Sequence, residues 1–493
     1  MQRLKPFLKL LRIPLLIPVL LYLAAKFTAS WHKGICQSTR RALYANKYFF
    51  EKLVSCVQKD MSAGRSDNAR SLARLAARFA AGRNVGFYSS PALELPFLEL
   101  AAQLPMPPLP ARASGTLHVM TCGYLSGGHT QLVRRWIELI PDEVHHLFIS
   151  AQGEEALPPE LEFLVRASGG RMLQPDSKLA EPEAAAMLRA FGLQAERIVL
   201  HTHMDDPLPV IAFGHSDFPR PVLFMNHADH KFWLGRSVAD LVLEMRPEGE
   251  SLSRKYRGAA TAVISLPFAR QVSFRTQAAR EEAGKKLGLP PDRPVLLTVA
   301  APYKYTPVAP YDMRKLVQRC LEAFPGSIYL IGGAGNGDAL WLDLKFRYGE
   351  RVRLLGLLSR EELLSVFNIS DVYIDSIPLG GGMTCLDAAQ NGLPVLTHNI
   401  YRQAMPFIRK SGWEFASTEE LLEGVSRLIK SQALREQTVA EQKKHIEAEH
   451  SPQVWVPRVL AAASSCKSHM ITQNWAHPPA LGDYQIFSNC VQH

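Results

Sequence analysis

DVYIDSIPLGGGMTCLDAAQNGLPVLT, running from Asp371 to Thr397, contains the order of elements from which the fold can be read. Val372–Tyr373–Ile374 is a short apolar alternation and predicts a buried strand. Three consecutive glycines, Gly380 to Gly382, follow in a loop. Met383 and Thr384 lead into a helix-compatible run, Cys385 to Asn391, which Gly392 and Pro394 stop. Val395 to Thr397 opens the next strand. This order makes an anion site for a physical reason. The first N–H groups of a helix lack partners and carry the positive end of its dipole. Glycine lets a phosphate come close to that backbone. Thr384 adds a hydroxyl, and Asp387, one turn into the helix, could accept hydrogen bonds from a ribose. An ordinary tight turn between sheet and helix would use the same residues, so the stretch alone leaves both readings open.

A second stretch, VLLTVAAPYKYTP from Val295 to Pro307, is a strand followed by a loop that carries Lys304. Together the two resemble the nucleotide-sugar site of GT-B glycosyltransferases, and more narrowly that of the O-GlcNAc transferase and bacterial protein N-glucosyltransferase group. The motif of that group is an Asp-ending strand, a Gly-His-Thr-Thr-like loop, an Asp on the helix and a Gly-x-Pro. Asp375, Gly381, Thr384, Asp387, Gly392 and Pro394 stand at those places, with Gly382 and Met383 where the motif has His and the first Thr. The two-glutamate motif of many retaining members is absent, because Leu379 lies eight residues before Asp387. The resemblance is good over 290–400, loose over 115–270 and nearly absent in the first hundred residues. It implies two Rossmann-like parallel-sheet halves across a cleft and a UDP-sugar donor without a tightly bound cofactor or metal. It also implies a diphosphate held by Lys304 and by Gly381, Gly382, Met383 and Thr384, with Asp387 on the ribose.

The chain of 493 residues is long enough for two or three domains, and its 47% hydrophobic and 21% charged residues are those of a globular protein. A formal charge of +10 suits anionic partners: nucleotide-sugars, anionic lipid surfaces or nucleic acid. No aromatic-interleaved basic run suggests a nucleic-acid module. Seven scattered cysteines, odd in number and never in CxxC spacing, argue for reduced thiols in a cytoplasmic setting.

The expected organisation is an apolar basic segment over 1–30, a helical region with a proline-rich linker over 31–115, and an acceptor-side α/β half over 116–275. A donor half over 276–416, helices over 417–465 and a tail over 466–493 complete it. In the first segment Arg3, Lys5, Lys9 and Arg12 precede the uncharged run Ile13–Ala25, which Pro14 and Pro18 interrupt. That pattern fits an anchor on the inner face of a membrane, a buried helix or a cleaved signal. Strands are predicted at Leu117–Thr121, His145–Ser150, Arg197–His201, Val222–Asn226 and Leu241–Leu243. The donor half should contribute Val295–Val299, Ser327–Ile331, Val352–Leu355, Val372–Ile374 and Val395–Thr397. Strands alternating with helices imply a parallel sheet covered on both faces. The segment near Pro452–Ala463 is expected to cross back to the first half, as the last helix of GT-B enzymes does.

Four polar constellations remain. Gly123 to His129 sits after the first strand, at the edge that lines the crevice of an open α/β sheet; His129 is either a candidate base or a capping residue of the turn. His201–Thr202–His203–Met204–Asp205–Asp206 resembles the HxHxDH motif of metallo-β-lactamase-like hydrolases, but its sixth position is Asp206 and its surroundings are α/β. A polar loop is the better reading, and no metal site is expected. Asn226 to Trp233 is the densest cluster; His227 and His230 are candidate bases there, and Phe232 and Trp233 candidate sugar-stacking rings. Gly332 to Gly337 misses the GxGxxG spacing, because Asp338 stands where the third glycine belongs.

The favoured activity is sugar transfer from a UDP-linked donor to a glycan, lipid-linked or protein acceptor, inverting and metal-independent. A UDP-GlcNAc 2-epimerase-like isomerase and a non-catalytic nucleotide-sugar-binding protein are the rivals.

Overall fold

The computed structural model describes residues 40–124, 128–153, 156–268, 276–290, 292–307, 311–399, 405–466 and 469–473. The apolar segment 1–30, Gly127 and most of the tail after 466 lie outside them. Among the described residues no helix is long and apolar enough to cross a membrane.

Two parallel sheets organise the chain. The first contains β1 (Thr116–Met120), β2 (His145–Ile149), β3 (Met172–Leu173), β4 (Arg197–His201), β5 (Val222–Met225), β6 (Leu241–Glu244) and β7 (Thr261–Val263), in the order β3-β2-β1-β4-β5-β6-β7. The second contains β8 (Val295–Val299), β9 (Ile328–Gly332), β10 (Val352–Gly356), β11 (Val372–Ile374), β12 (Val395–His398) and β13 (Glu414–Phe415), in the order β10-β9-β8-β11-β12-β13. Each is a doubly wound sheet whose strand order reverses once, between β1 and β4 in the first and between β8 and β11 in the second. At such reversals the connections leave in opposite directions, and a crevice opens at the C-terminal strand ends. The edge strands β3 and β13 have two residues each, too few to show a period in sequence. The last strand of the first sheet ends at Val263. Beyond it the chain runs to the last helices, where Phe268 N donates to His450 O.

The N-terminal helices Arg40–Ser62, Ser66–Gly82 and Pro91–Gln103 share one core with the first sheet: Phe50, Leu72, Ala76 and Phe97 cluster with Leu117, Val119 and Leu188. Two buried charges fasten them. Glu94 accepts from the backbone N–H of Gly235, Arg236 and Ser237. Arg189 donates to the carbonyls of Ala101 and Leu104 on one side and of Ile211 and Ala212 on the other. A guanidinium among the unpaired carbonyls at two helix C-termini satisfies those acceptors and the dipoles together.

The C-terminal helices tie the two sheets. Gln442 of the helix Gln432–His450 pairs its amide with Val395 N and O, replacing a neighbouring strand. The helix Pro452–Ser465 returns to the first half, as expected from the sequence, and Trp455 meets Trp136 edge-on at 5.3 Å. His450 Nδ1 donates to Leu266 O at 2.6 Å on the same path.

Candidate active site

In the second sheet the site is made by the loops after β8 and β11, on the two sides of the reversal. Lys304 lies in the single turn Pro302–Tyr305 after β8. Its Nζ donates to Gly380 O at 2.8 Å, across the reversal, on the loop after β11. Burial holds the Lys304 ammonium below the usual lysine range, and Asp375 opposes that shift. The glycine loop is held open from within. Asp375 Oδ1 accepts from Ser376 N at 2.8 Å and Gly381 N at 2.6 Å, and Tyr373 Oη donates to Val299 O at 2.9 Å. A Cβ on Gly381 would stand 3.0 Å from Asp375 Oδ1, and Gly382 takes φ +61°, where a side chain is strained. The helix Met383–Gln390 starts directly after it, so Gly381, Gly382, Met383 and Thr384 surround one helix N-terminus with Lys304 opposite. The Gly332–Gly337 cluster has a different task. Gly333 N donates to Gly356 O and Gly356 N to Ala334 O, joining the ends of β9 and β10.

Asp387, expected on a ribose, meets an arginine of the first half. Its two carboxylate oxygens accept from Arg135 Nη2 at 2.8 and 2.7 Å, and Arg135 Nη1 donates to Pro267 O at 2.9 Å. Arg135 lies on the helix Gly128–Leu139 of the first half and is 3% exposed. The pair therefore locks together two helices, one starting at the glycine loop and the other carrying His129 in its first turn.

In the first sheet the C-terminal ends of β4 and β5 and the head of the helix after β1 bring imidazoles together. His129 stacks on His227 with ring centroids 3.8 Å apart and 19° between planes. His203 meets His129 edge-on at 6.1 Å, and Tyr124 Oη lies 3.4 Å from His203 Nε2. His227 Nε2 is 3.2 Å from His201 Nδ1. Burial pushes His129 down to about 4, helped by His203, and holds His227 well below the usual imidazole range, helped by His129 and His201. A desolvated imidazole beside other imidazoles resists a positive charge, so the pair is neutral at pH 7.

His230 is not part of that pair. Its Nδ1 is 3.2 Å from Asp229 Oδ1, and Asp229 is gripped by Arg246 at 2.7 and 2.8 Å. Phe232 and Trp233, expected to stack on a sugar, are core residues at 2% and 1% exposure; Trp233 stacks on Phe224 at 3.9 Å with Arg257 on its ring. An aromatic beside a polar run looks the same in sequence whether its ring turns out or in. The His201–Asp206 stretch is likewise occupied: Asp206 accepts from Thr121 Oγ1 at 2.6 Å, Ser150 Oγ at 2.7 Å and Leu208 N at 3.0 Å. Among the described residues no group of three or more His, Cys, Asp and Glu is arranged to hold a metal ion.

Sequence reasoning did not link His118, His145 and His201 to the candidate bases, to which the contact of His201 with His227 joins them. His118 lies in the middle of β1 and His145 at the start of β2, positions where a wholly buried strand calls for apolar residues. That violation was the available signal.

Comparison with known proteins bears on the fold. Residues 279–445 match the family model of the glycosyl transferases group 1. A mutant O-GlcNAc transferase of Thermobaculum terrenum superposes with a TM-score of 0.53 at 16% identity, over 92% of this chain and 87% of its own. HepE of Anabaena, in complex with UDP and glucose, superposes at 0.56 and 14% identity, over 71% of this chain and 100% of its own. A glycosyltransferase of Rickettsia africae superposes at 0.55 and 13% identity, over 72% of this chain and 99% of its own. No curated protein sequence matches the chain. The chain has the GT-B fold, with likeness to O-GlcNAc transferase along nearly its whole length, and carries a glycosyl transferases group 1 domain in its second half.

Proposed function

We propose that this protein transfers a sugar from a UDP-linked donor to a hydroxyl or amide of a glycan, lipid-linked or protein acceptor, with inversion and without a bound metal. The observation that carries the reading is Lys304, a half-buried ammonium fixed on Gly380 O at the head of the helix Met383–Gln390. An ammonium has three donors, and Gly380 takes one of them. The others, with the helix N-terminus and the Thr384 hydroxyl, fit the oxygens of a diphosphate. Their fixed positive charge favours the state in which the C1–O bond to UDP breaks and charge develops on the leaving oxygen. On the facing half, His227 or His129 takes the acceptor proton as the acceptor atom bonds to C1. The low basicity that burial imposes on these rings is offset when the anionic diphosphate binds nearby, because a negative charge stabilises an imidazolium. With Asp387 engaged by Arg135, its part in the site is to hold the two helix heads in register.

The test measures UDP release from UDP-glucose and UDP-GlcNAc with a panel of glycan, lipid-linked and peptide acceptors, in the presence and absence of EDTA. Acceptor-dependent release that EDTA leaves intact, with an inverted anomer by NMR, is expected. Conversion of UDP-GlcNAc alone to UDP-ManNAc would overturn the reading in favour of an isomerase.

A further inference from the structure

Behind the His129–His227 pair, three more imidazoles form a row through the first sheet. His145 on β2, His118 on β1 and His201 on β4 are at most 1% exposed. His145 Nδ1 is 3.2 Å from His118 Nε2, His118 Nδ1 is 3.2 Å from His201 Nε2, and His201 Nδ1 is 3.2 Å from His227 Nε2. At the inner end His145 Nε2 is 2.9 Å from Ile140 O. Trp136 packs its edge on both His118 and His201, which keeps the row dry.

A carbonyl can only accept, so His145 must carry its proton on Nε2. A neutral imidazole then has a bare Nδ1, and the contact with His118 requires a proton on His118 Nε2. The same argument repeats at His201 and again at His227. Each ring is neutral because burial, reinforced by its imidazole neighbours, holds His118 far below and His201 down to about 3. One backbone oxygen thus decides the state of four rings.

We propose that the row Ile140 O–His145–His118–His201 is a positioning device that fixes His227 as its Nε2–H tautomer, so that the atom it offers to the acceptor is an unprotonated Nδ1. Among the described residues His227 Nδ1 has no hydrogen-bond partner, and His227 is partly exposed while the other three rings are buried. The opposite tautomer would set two lone pairs or two N–H groups against each other somewhere along the row. In a dry interior each such mismatch is an unsatisfied buried polar group. The inference deepens the general-base reading of His227 and rests on it for its catalytic meaning, not for its structural content.

The decisive measurement is the ring-nitrogen NMR spectrum of the full-length protein labelled with 15N-histidine, with the His227 signals assigned by their loss in His227→Asn. The expected spectrum has a protonated Nε2 and a bare Nδ1 on His227 at pH 7. A proton on Nδ1, or an imidazolium, overturns the proposal, and neither result depends on an acceptor or on turnover. The kinetic arm uses His118→Phe, which keeps the ring beside Trp136 and removes both nitrogens, and His118→Gln, which keeps one donor and one acceptor. His118→Phe should lower kcat on the order of 10²-fold with UDP affinity unchanged, and His118→Gln should recover most of it. Where His227→Ala loses turnover, an unchanged kcat in the first, or equal losses in both, overturns the proposal. Wild-type turnover in His227→Ala would instead reject His227 as the base and leave the tautomer to be judged by the spectrum.

Discussion

The two sheets share one strand order apart from the extra edge strand β7 of the first, reverse at equivalent places and open crevices at the same strand ends, yet they furnish those crevices by opposite means. The second sheet uses backbone. Its glycine loop and the helix after it form one continuous stretch, and a single side chain, Lys304, is added from the loop after β8. The first sheet uses side chains alone: His145, His118, His201, His227 and His129 come from β2, β1, β4, the end of β5 and the helix after β1. The difference suits the chemistry proposed for each. A diphosphate is bound by many fixed partial charges, which a helix N-terminus supplies at no cost in side-chain entropy. A proton acceptor must be one atom in one protonation state, which needs neighbours that dictate its tautomer. Sites of the first kind are written in consecutive residues, and sites of the second kind are assembled.

The comparison can be broken most forcefully on the side-chain half. His227→Ala and His129→Ala should each lower turnover, the more important of the two by about 10²–10⁴-fold, while UDP affinity measured by calorimetry stays unchanged. If neither variant loses turnover, the imidazole crevice has no part in the chemistry. The link between the halves comes next. Asp387→Asn strands the buried Arg135 guanidinium, and a loss of about 2–3 kcal/mol is expected in denaturant unfolding, less than for a fully buried pair because Asp387 retains some solvent. Unchanged stability would mean that the helix heads are held together by packing alone.

On the backbone half, Lys304→Ala should weaken UDP binding by about 1.5–3 kcal/mol, the scale of a charge-assisted hydrogen bond, in a protein that still folds. UDP affinity equal to wild type would remove Lys304 from the site. The smallest effect separates the halves by pH. The buried histidines have folded-state values below the unfolded one, so above pH 6.5 both states are neutral and nothing changes. As pH falls from 6.5 toward the folded values, about 4 for His129 and about 3 for His201, only the unfolded chain gains protons and stability is lost. Each such ring contributes about 1.4 kcal/mol per pH unit in that window. Stability measured between pH 6.5 and 5 should therefore fall less steeply in His118→Phe than in wild type, whereas Lys304→Ala should follow the wild-type slope.

The strands and the glycine loop could be located from sequence because each is a local pattern: Val295–Val299 and Val372–Ile374 are strands as read, and the helix after the loop begins at Met383 beside Gly382. The partnership of Lys304 with that loop was legible only through resemblance, since the two residues it joins, Lys304 and Gly380, are 76 apart. The contact of Asp387 with Arg135 was not legible, because a position one turn into the helix fits a ribose and an arginine equally well. Phe232 and Trp233 were misread because burial of a ring depends on what packs behind it, here Phe224 and Arg257.

By itself the sequence determined the class of the fold and the place of the glycine loop at a helix start, because periodicity, helix starts and glycine conformations act over a few neighbouring residues. It determined that histidines stand after the strands of the first half. Tertiary structure alone decided which of them meet: it set His129 on His227, sent His230 to Asp229, and threaded His145, His118 and His201 into one row. The reason is physical. Parallel strands that are neighbours in the sheet are separated in the chain by whole helices, so the alignment of a ring on β1 with rings on β2 and β4 is fixed by strand register, and register is a property of the assembled sheet.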